Sequence, residues 1–441
     1  MPHRPPLNMS HPPRRFATEL AVIGSGFAGL AATVFAVNRR ITTALAGNTG
    51  ALAYTTGYLD LLGRLEASSV AVTDPWQALA QLRQQQPLHP LSRIAPADIR
   101  RAFDEFTGFL GDNGLAYRHA AAHNITALTP AGTLKQTLCV PATMAAGPEA
   151  LAAQVPCVIV DFEGLKGFSA AELVANLGAR WPGLRARRLA FPDMPRGEVY
   201  AEVMARSLEV AATREKLAVA LKEAAGPARV IGLPAILGMH RPDAVHADLA
   251  QRTGLSIFEI PTMPPSVAGV RLREWLEQTL PAKGVTLIPQ QKVTTLELDA
   301  DGASLMLRDS FGPIHIRARA VILATGRFLS GGLQAHPDAI REPLLGLPVT
   351  QPEGRAAWYR ERYTDVRGHP IHRAGIETDA ESRPLGPDGQ PRSPRLFAAG
   401  TILAHQDWIR SRSGAGIAIA SAYQAVLAAQ ALLRAPSTQP M

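Results

Sequence analysis

The sequence predicts an α/β protein in which a nucleotide-binding sheet is divided along the chain by an inserted α/β cap domain. Three observations point there. A short apolar run, Glu19-Leu20-Ala21-Val22-Ile23, stops at the glycine loop Gly24-Ser25-Gly26-Phe27-Ala28-Gly29, and an apolar helix pattern follows. A second buried-strand pattern, Ala320-Val321-Ile322-Leu323-Ala324, ends at Thr325-Gly326. A third, Leu396-Phe397-Ala398-Ala399, ends at Gly400, and Gly414-Ala415-Gly416 then opens a helix over 414–433. At 441 residues the chain exceeds one ordinary core, so a second or inserted domain is expected.

The first run suits a buried parallel strand because it is apolar without alternation. Residues 27–37 read as a tightly packed helix, closed by Asn38-Arg39-Arg40, and Ile41–Ala46 as the next strand. Together they form a β-α-β unit. Residues 74–86 and 97–112 look helical, and from Thr129 the pattern becomes irregular. Strand 157–160, helix 169–179, one long helix over 197–224, an apolar run at 230–237 and a helix at 243–253 follow. The segment Pro261-Thr262-Met263-Pro264-Pro265 is too rich in proline for a helix and reads as a rigid loop before helix 269–279. Strand 284–289, two alternating stretches at 292–298 and 303–308 around the turn Asp299-Ala300-Asp301-Gly302, and separate strands at 314–318 and 320–324 complete the pattern. The expected organisation is an extension over 1–16, a discontinuous nucleotide-binding domain over 17–66 and 284–441, and a cap over 67–283.

Composition narrows the function classes. The 45 basic and 37 acidic residues leave +8, but the arginines are scattered, so ordinary solubility is a better account than nucleic-acid binding. Cys139 and Cys157 are too few for an iron–sulfur cluster or a structural zinc site; both read as free, buried thiols, and no metal is expected. No uncharged apolar run of about eighteen residues is apparent, which argues against a spanning helix. Residues 1–16, rich in Pro and His, read as disordered; Arg14-Arg15-Phe16 only faintly resembles a twin-arginine export signal, because Glu19 and the glycine loop follow with no cleavage-type site.

Each position of the loop has a physical role in seating a phosphate. Gly24 permits the tight turn, Gly26 a close backbone approach, and Gly29 close packing of helix on strand. The helix N-terminus then offers free N–H groups and a positive dipole end. The acidic partner that normally binds an adenosine ribose about 20 residues on is missing. No Asp or Glu occurs between Glu19 and Asp60. Either Asn48 or Thr49 holds a ribose, or the ligand has one phosphate and no adenosine, as in FMN. The segments ending at Thr325-Gly326 and at Gly400 resemble the second and third fingerprints of FAD-family oxidoreductases, with Thr401 where an acid usually follows. The cofactor-binding set is therefore Gly24, Ser25, Gly26, Ala28, Gly29, Thr325, Gly326, Gly400, Thr401, Gly414 and Ala415. The fold is the FAD/NAD(P)-binding Rossmann-like flavoprotein fold with an inserted α/β cap domain.

A closer resemblance covers about 19–430. Pro261–Leu272, Arg341-Glu342-Pro343-Leu344-Leu345-Gly346-Leu347, Phe328–Leu333, Gly57-Tyr58-Leu59-Asp60-Leu61-Leu62 and Leu82-Arg83-Gln84-Gln85-Gln86-Pro87 resemble segments of the B subunit of anaerobic glycerol-3-phosphate dehydrogenase, in matching order along the chain. That resemblance implies oxidation of sn-glycerol 3-phosphate to dihydroxyacetone phosphate, electrons passing to a quinone, and FMN, with FAD the alternative. It also implies a second flavoprotein (the A subunit) and an iron–sulfur, membrane-associated protein (the C subunit) as partners, hence a cytoplasmic chain peripheral on the inner membrane.

Oxidising a secondary alcohol calls for a base, and histidine suits neutral pH. His405 follows the third fingerprint and is the candidate; His369 and His372 lie upstream. A phosphate substrate calls for arginine forks. Arg271 and Arg341 lie inside the recognised segments and are the candidates, and Arg327 follows the second fingerprint. Two rival functions remain open: a structural or electron-relay member of the same complex, and a flavin-dependent RNA-modifying enzyme suggested by the basic balance alone.

Overall fold

A computed structural model describes residues 12–435 apart from 49, 66, 67, 69, 121, 195 and 196. Its main sheet draws strands from both ends of the chain. β1 (Arg14–Ile23) pairs in parallel with β2 (Thr43–Gly47) on one side and with the long strand Gly312–Leu323 on the other. Thr286–Pro289 extends the sheet beyond β2, and the antiparallel strands Ala303–Asp309 and Thr295–Leu298 extend it beyond Gly312–Leu323. Leu396–Ala398 also pairs with the end of the long strand.

Side chains alternate across this sheet as strand geometry requires. Leu20 and Val22 face one core with α1 (Phe27–Asn38) and the C-terminal helix Gly414–Arg434, while Ala21 and Ile23 face another with Leu305, Ile316 and Leu403. With both faces covered, a continuous apolar strand needs no polar side, and the sequence pattern for β1 follows from that. α1 lies so close to β1 that a Cβ on Gly29 would meet the Gly24 carbonyl oxygen at 1.7 Å. Gly24 stands at φ +108°, which a side chain disfavours.

A second sheet, all parallel, has the order Ser256–Ile260, Val230–Pro234, Cys157–Phe162, Leu184–Leu189. Helices Ala170–Leu177, Ala211–Ala225 and Pro242–Thr253 alternate with its strands along the chain. Cys157 lies in this sheet, and Cys139 lies in the short strand Cys139–Pro141; each thiol is free and buried. Burial pushes the Cys157 thiol up to about 12 and raises that of Cys139 further.

Four expectations need correction. The extension does not run to residue 16: Arg14–Phe16 are strand, held by pairing to Ile314–Ile316 and by an Arg14–Asp309 ion pair; residues 1–11 lie outside the described residues. The expected helix over 197–224 is two, Ala201–Ser207 and Ala211–Ala225. At the break Glu209 Oε1 accepts from the backbone N–H groups of Met239, His240 and Arg241 at 2.8–3.1 Å. The strands expected at 314–318 and 320–324 are one, in which exposed Arg317 and Arg319 alternate with buried Ala318 and Ala320. Finally, Gly414–Arg434 has a mean hydropathy of 1.5 over its most apolar stretch and is long enough to span a membrane. It is instead 67% buried over that stretch, packed on α1 and on the helix Pro96–Asp112.

The contact at Gly29 gives a direct check. Gly29→Ala should destabilise the chain by about 1–3 kcal/mol through overpacking, read as a lower urea midpoint. An unchanged midpoint would show that helix and strand can separate without cost.

Candidate functional site

β1, Gly312–Leu323 and Leu396–Ala398 run parallel with Ile23 beside Leu323 and Leu323 beside Ala398, so all three end at one edge of the sheet. Ligands in open parallel sheets bind outside such carboxyl ends. A cavity of about 770 Å³ opens there. Besides the glycine loop, its lining includes Gly47, Asn48, Lys292, Val293 and Thr294, and also Tyr58, Asp60, Lys135, Trp408, Arg412 and Gly414.

The N-terminus of α1 forms part of the lining, through Gly26, Phe27 and Ala28. The helix has no side-chain cap and no acidic residue in its first turn, so its N–H groups and dipole are left for an anion. A Cβ on Gly47 would lie 2.7 Å from the Cα of Gly24, so this wall is built from bare backbone. Thr325 Oγ1 is buried at the cavity wall with no hydrogen-bond partner, as expected of a group that awaits a ligand.

Of the expected cofactor residues, Gly24, Gly26, Ala28, Thr325, Gly326, Thr401, Gly414 and Ala415 line this cavity. Ser25, Gly29 and Gly400 do not. Ser25 Oγ donates to the Gly47 carbonyl at 2.7 Å and ties the loop to the end of β2. Gly400 packs against α1, where a Cβ would meet that of Ala28 at 2.5 Å. Asn48 lines the cavity, and Thr49 lies outside the described residues.

The catalytic and substrate candidates fare differently. His405 turns away, its Nε2 2.8 Å from Glu377 Oε1, and does not line the cavity. His372 meets Asp407 at 3.2 Å, and His369 accepts from the Arg360 N–H at 3.0 Å. Arg271 is fully buried: its guanidinium binds both oxygens of Glu259 at 2.9 Å and the Gly238 carbonyl at 3.0 Å. Burial would raise the Glu259 carboxyl, but Arg271 outweighs it and holds the group below its ordinary value. Three of its five donors are engaged in this way, and the group does not line the cavity. Arg341 is exposed and paired with Asp338, outside the cavity. Arg327 does line it, but donates to the carbonyls of Thr401, His372, Leu403 and Gln406 and so braces the loop after the third strand.

Two charged groups that line the cavity escaped the sequence. Asp60 and Lys135 form an ion pair at 2.6 Å, their side chains 13% and 19% exposed. Asp60 Oδ1 is buried without a partner, and burial raises this carboxyl against the pull of Lys135. The only signal was that Asp60 fell inside a recognised segment; Lys135, in the hairpin Ile125–Leu128/Leu134–Thr137, carried none.

With this geometry in place, comparison with known proteins is decisive. The FAD binding domain family matches residues 19–417. A Vibrio vulnificus protein, named as the B subunit of anaerobic glycerol-3-phosphate dehydrogenase, is 30% identical over 439 residues, covering 96% of this chain and 98% of its own. The chain belongs to the B-subunit family of anaerobic glycerol-3-phosphate dehydrogenase. A Vibrio cholerae member is 31% identical over 92% of this chain and 95% of its own, and a Halobacterium salinarum protein named a probable member is 30% identical over 93% and 97%. As a member of this dehydrogenase family the chain is a flavin-binding protein of the Rossmann-like fold, and its cavity fits that group: bare backbone, an uncapped helix end and the orphaned Thr325 hydroxyl all meet at its centre. Nothing in these likenesses favours the RNA-modifying alternative.

The buried pair is directly testable. Arg271→Ala leaves Glu259 charged and unpaired in the interior, and should cost about 3–5 kcal/mol, seen as a drop in the urea midpoint. Replacing both residues together, Arg271→Met with Glu259→Leu, should recover most of it. A raised KM with unchanged stability would instead restore a substrate role.

Proposed function

We propose that this chain is the flavin subunit of an anaerobic glycerol-3-phosphate dehydrogenase that oxidises sn-glycerol 3-phosphate to dihydroxyacetone phosphate. Electrons leave through two partner proteins, a second flavoprotein and an iron–sulfur protein at the membrane, to a quinone. The observation that carries the reading is near-full-length similarity to chains of that name, over a cavity whose loop, strand ends and helix are those a flavin needs. The flavin, when bound, takes up the electrons of the substrate C–H bond.

The chain's own residues would do the rest. Backbone N–H groups at the α1 N-terminus hold a flavin phosphate, with the Lys292 ammonium in the same cavity lining. Tyr58, whose hydroxyl donates to the Leu128 carbonyl at 2.8 Å, and Trp408 wall the cavity with apolar rings. Of the two carboxylates in the lining, Glu342 is taken up by three backbone N–H groups, and Asp60 takes the hydroxyl proton as the ketone forms. Lys135 favours its ionised form and orients it. The reach of the cavity to Asn48 and Thr294, and the family description, favour FAD. The absence of any acid at the end of β2, where Gly47-Asn48 stand, favours FMN as the second reading.

A relay role without catalysis is favoured by one fact: among the described residues no histidine lines the cavity. Dye reduction by the purified flavin-loaded chain separates the two. Under the catalytic reading glycerol 3-phosphate reduces the dye, and kcat/KM rises with pH through an ionisation above the ordinary Asp value of about 3.9, since the base form is the deprotonated one. Asp60→Asn should abolish that limb and lower kcat by about 100-fold or more. A flavin-loaded chain with no dye reduction would support the relay.

A further inference from the structure

The cavity carries more positive charge than its carboxylates neutralise: Asp60 and Glu342 stand against Lys135, Lys292, Arg327 and Arg412. Asp60 and Lys135 are paired. Arg412 lines the cavity, half-buried, and Arg64, behind the lining, lies near enough for the two guanidiniums to repel. Among the described residues neither forms an ion pair, and Arg64 Nε is buried without an acceptor. Burial, then Arg64, pushes Arg412 below the usual arginine value, and the attraction of Asp60 only partly offsets them.

Backbone bonds fix this arrangement. Gly63 N–H and Arg64 N–H both donate to the Ser411 carbonyl at 3.0 Å, and Gly416 N–H donates to the Asp60 carbonyl at 2.7 Å. The segment carrying Asp60 and Arg64 is thereby stitched to the turn carrying Arg412. Arg412 itself stands at φ +49°, a conformation that disfavours a non-glycine residue; these bonds hold it there. Two residues on, the helix Gly414–Arg434 begins with no side-chain cap and no acid in its first turn.

We propose that Arg412, backed by Arg64, is the specificity-determining residue that takes the phosphate of a small phosphomonoester alcohol, placing its carbinol toward Asp60. This rests on the substrate reading above. A phosphomonoester carries about −1.5 to −2 charge at pH 7, which suits two neighbouring guanidiniums that form no ion pair among the described residues. Planar forks suit its oxygens better than a point charge would. Glycerol, with the same carbinol and no phosphate, lacks the feature recognised.

The test uses the full-length chain with its flavin, titrated with sn-glycerol 3-phosphate, inorganic phosphate or glycerol and followed by thermal unfolding and flavin absorbance. The wild-type chain should respond to glycerol 3-phosphate, with phosphate competing and glycerol inert. Arg412→Gln should weaken that response about 10- to 100-fold with flavin content unchanged, and Arg412→Lys should recover part of it. Equal binding by wild type and Arg412→Gln overturns the proposal, as does loss of flavin from Arg412→Gln at intact fold, which would assign the arginine to the flavin. A wild-type chain that neither binds nor is reduced by glycerol 3-phosphate overturns the substrate reading itself.

Discussion

The close approach of α1 to β1 is the constraint on which the rest of the site depends. With a Cβ excluded at Gly29 and at Gly24, the helix N-terminus is brought to the edge where β1, Gly312–Leu323 and Leu396–Ala398 end together. An uncapped helix end is a liability in a protein interior, because its N–H groups must find partners. At this edge the same groups face a cavity, and a phosphate satisfies them. The contact therefore links packing to binding: what lets the helix lie flat on the strand also leaves its end bare where the three strands converge.

Around that centre, charge is divided between structure and function. Arg271 and Arg327 are engaged in structure, one neutralising Glu259 of the second sheet, the other gathering four carbonyls behind the third strand. Asp60, Lys135 and Arg412 are held by backbone but not by one another's full complement of bonds. The first group stabilises a shape; the second is left with capacity to interact. Burial alone does not tell them apart, whereas the count of unmet donors and acceptors does.

The same distinction explains how much the sequence disclosed. Parallel strands covered on both faces are continuous apolar runs, so β1, Cys157–Phe162 and the end of Gly312–Leu323 stood out, and glycines at strand ends marked the loop. Leu184–Leu189, with three arginines on the edge of its sheet, gave no such run. The break between Ala201–Ser207 and Ala211–Ala225 was hidden because its partner, the 239–241 backbone, is distant in sequence. In the site, residues whose role lies in the backbone were legible, and side-chain roles were not. His405 and Arg271 had suitable chemistry in suitable segments, but Glu377 and Glu259 had already claimed them. Lys135 reaches the cavity from a hairpin with no motif.

The central claim, that this edge of the sheet holds a phosphorylated flavin, is tested most directly by releasing the ligand from the purified full-length chain and determining its mass and molar ratio. The expected result is close to one equivalent of flavin carrying a phosphate: FAD if the part of the cavity lined by Asn48 and Thr294 is filled by an adenosine, FMN if it is not. A well-folded chain that yields no flavin, or only unphosphorylated riboflavin, would contradict it.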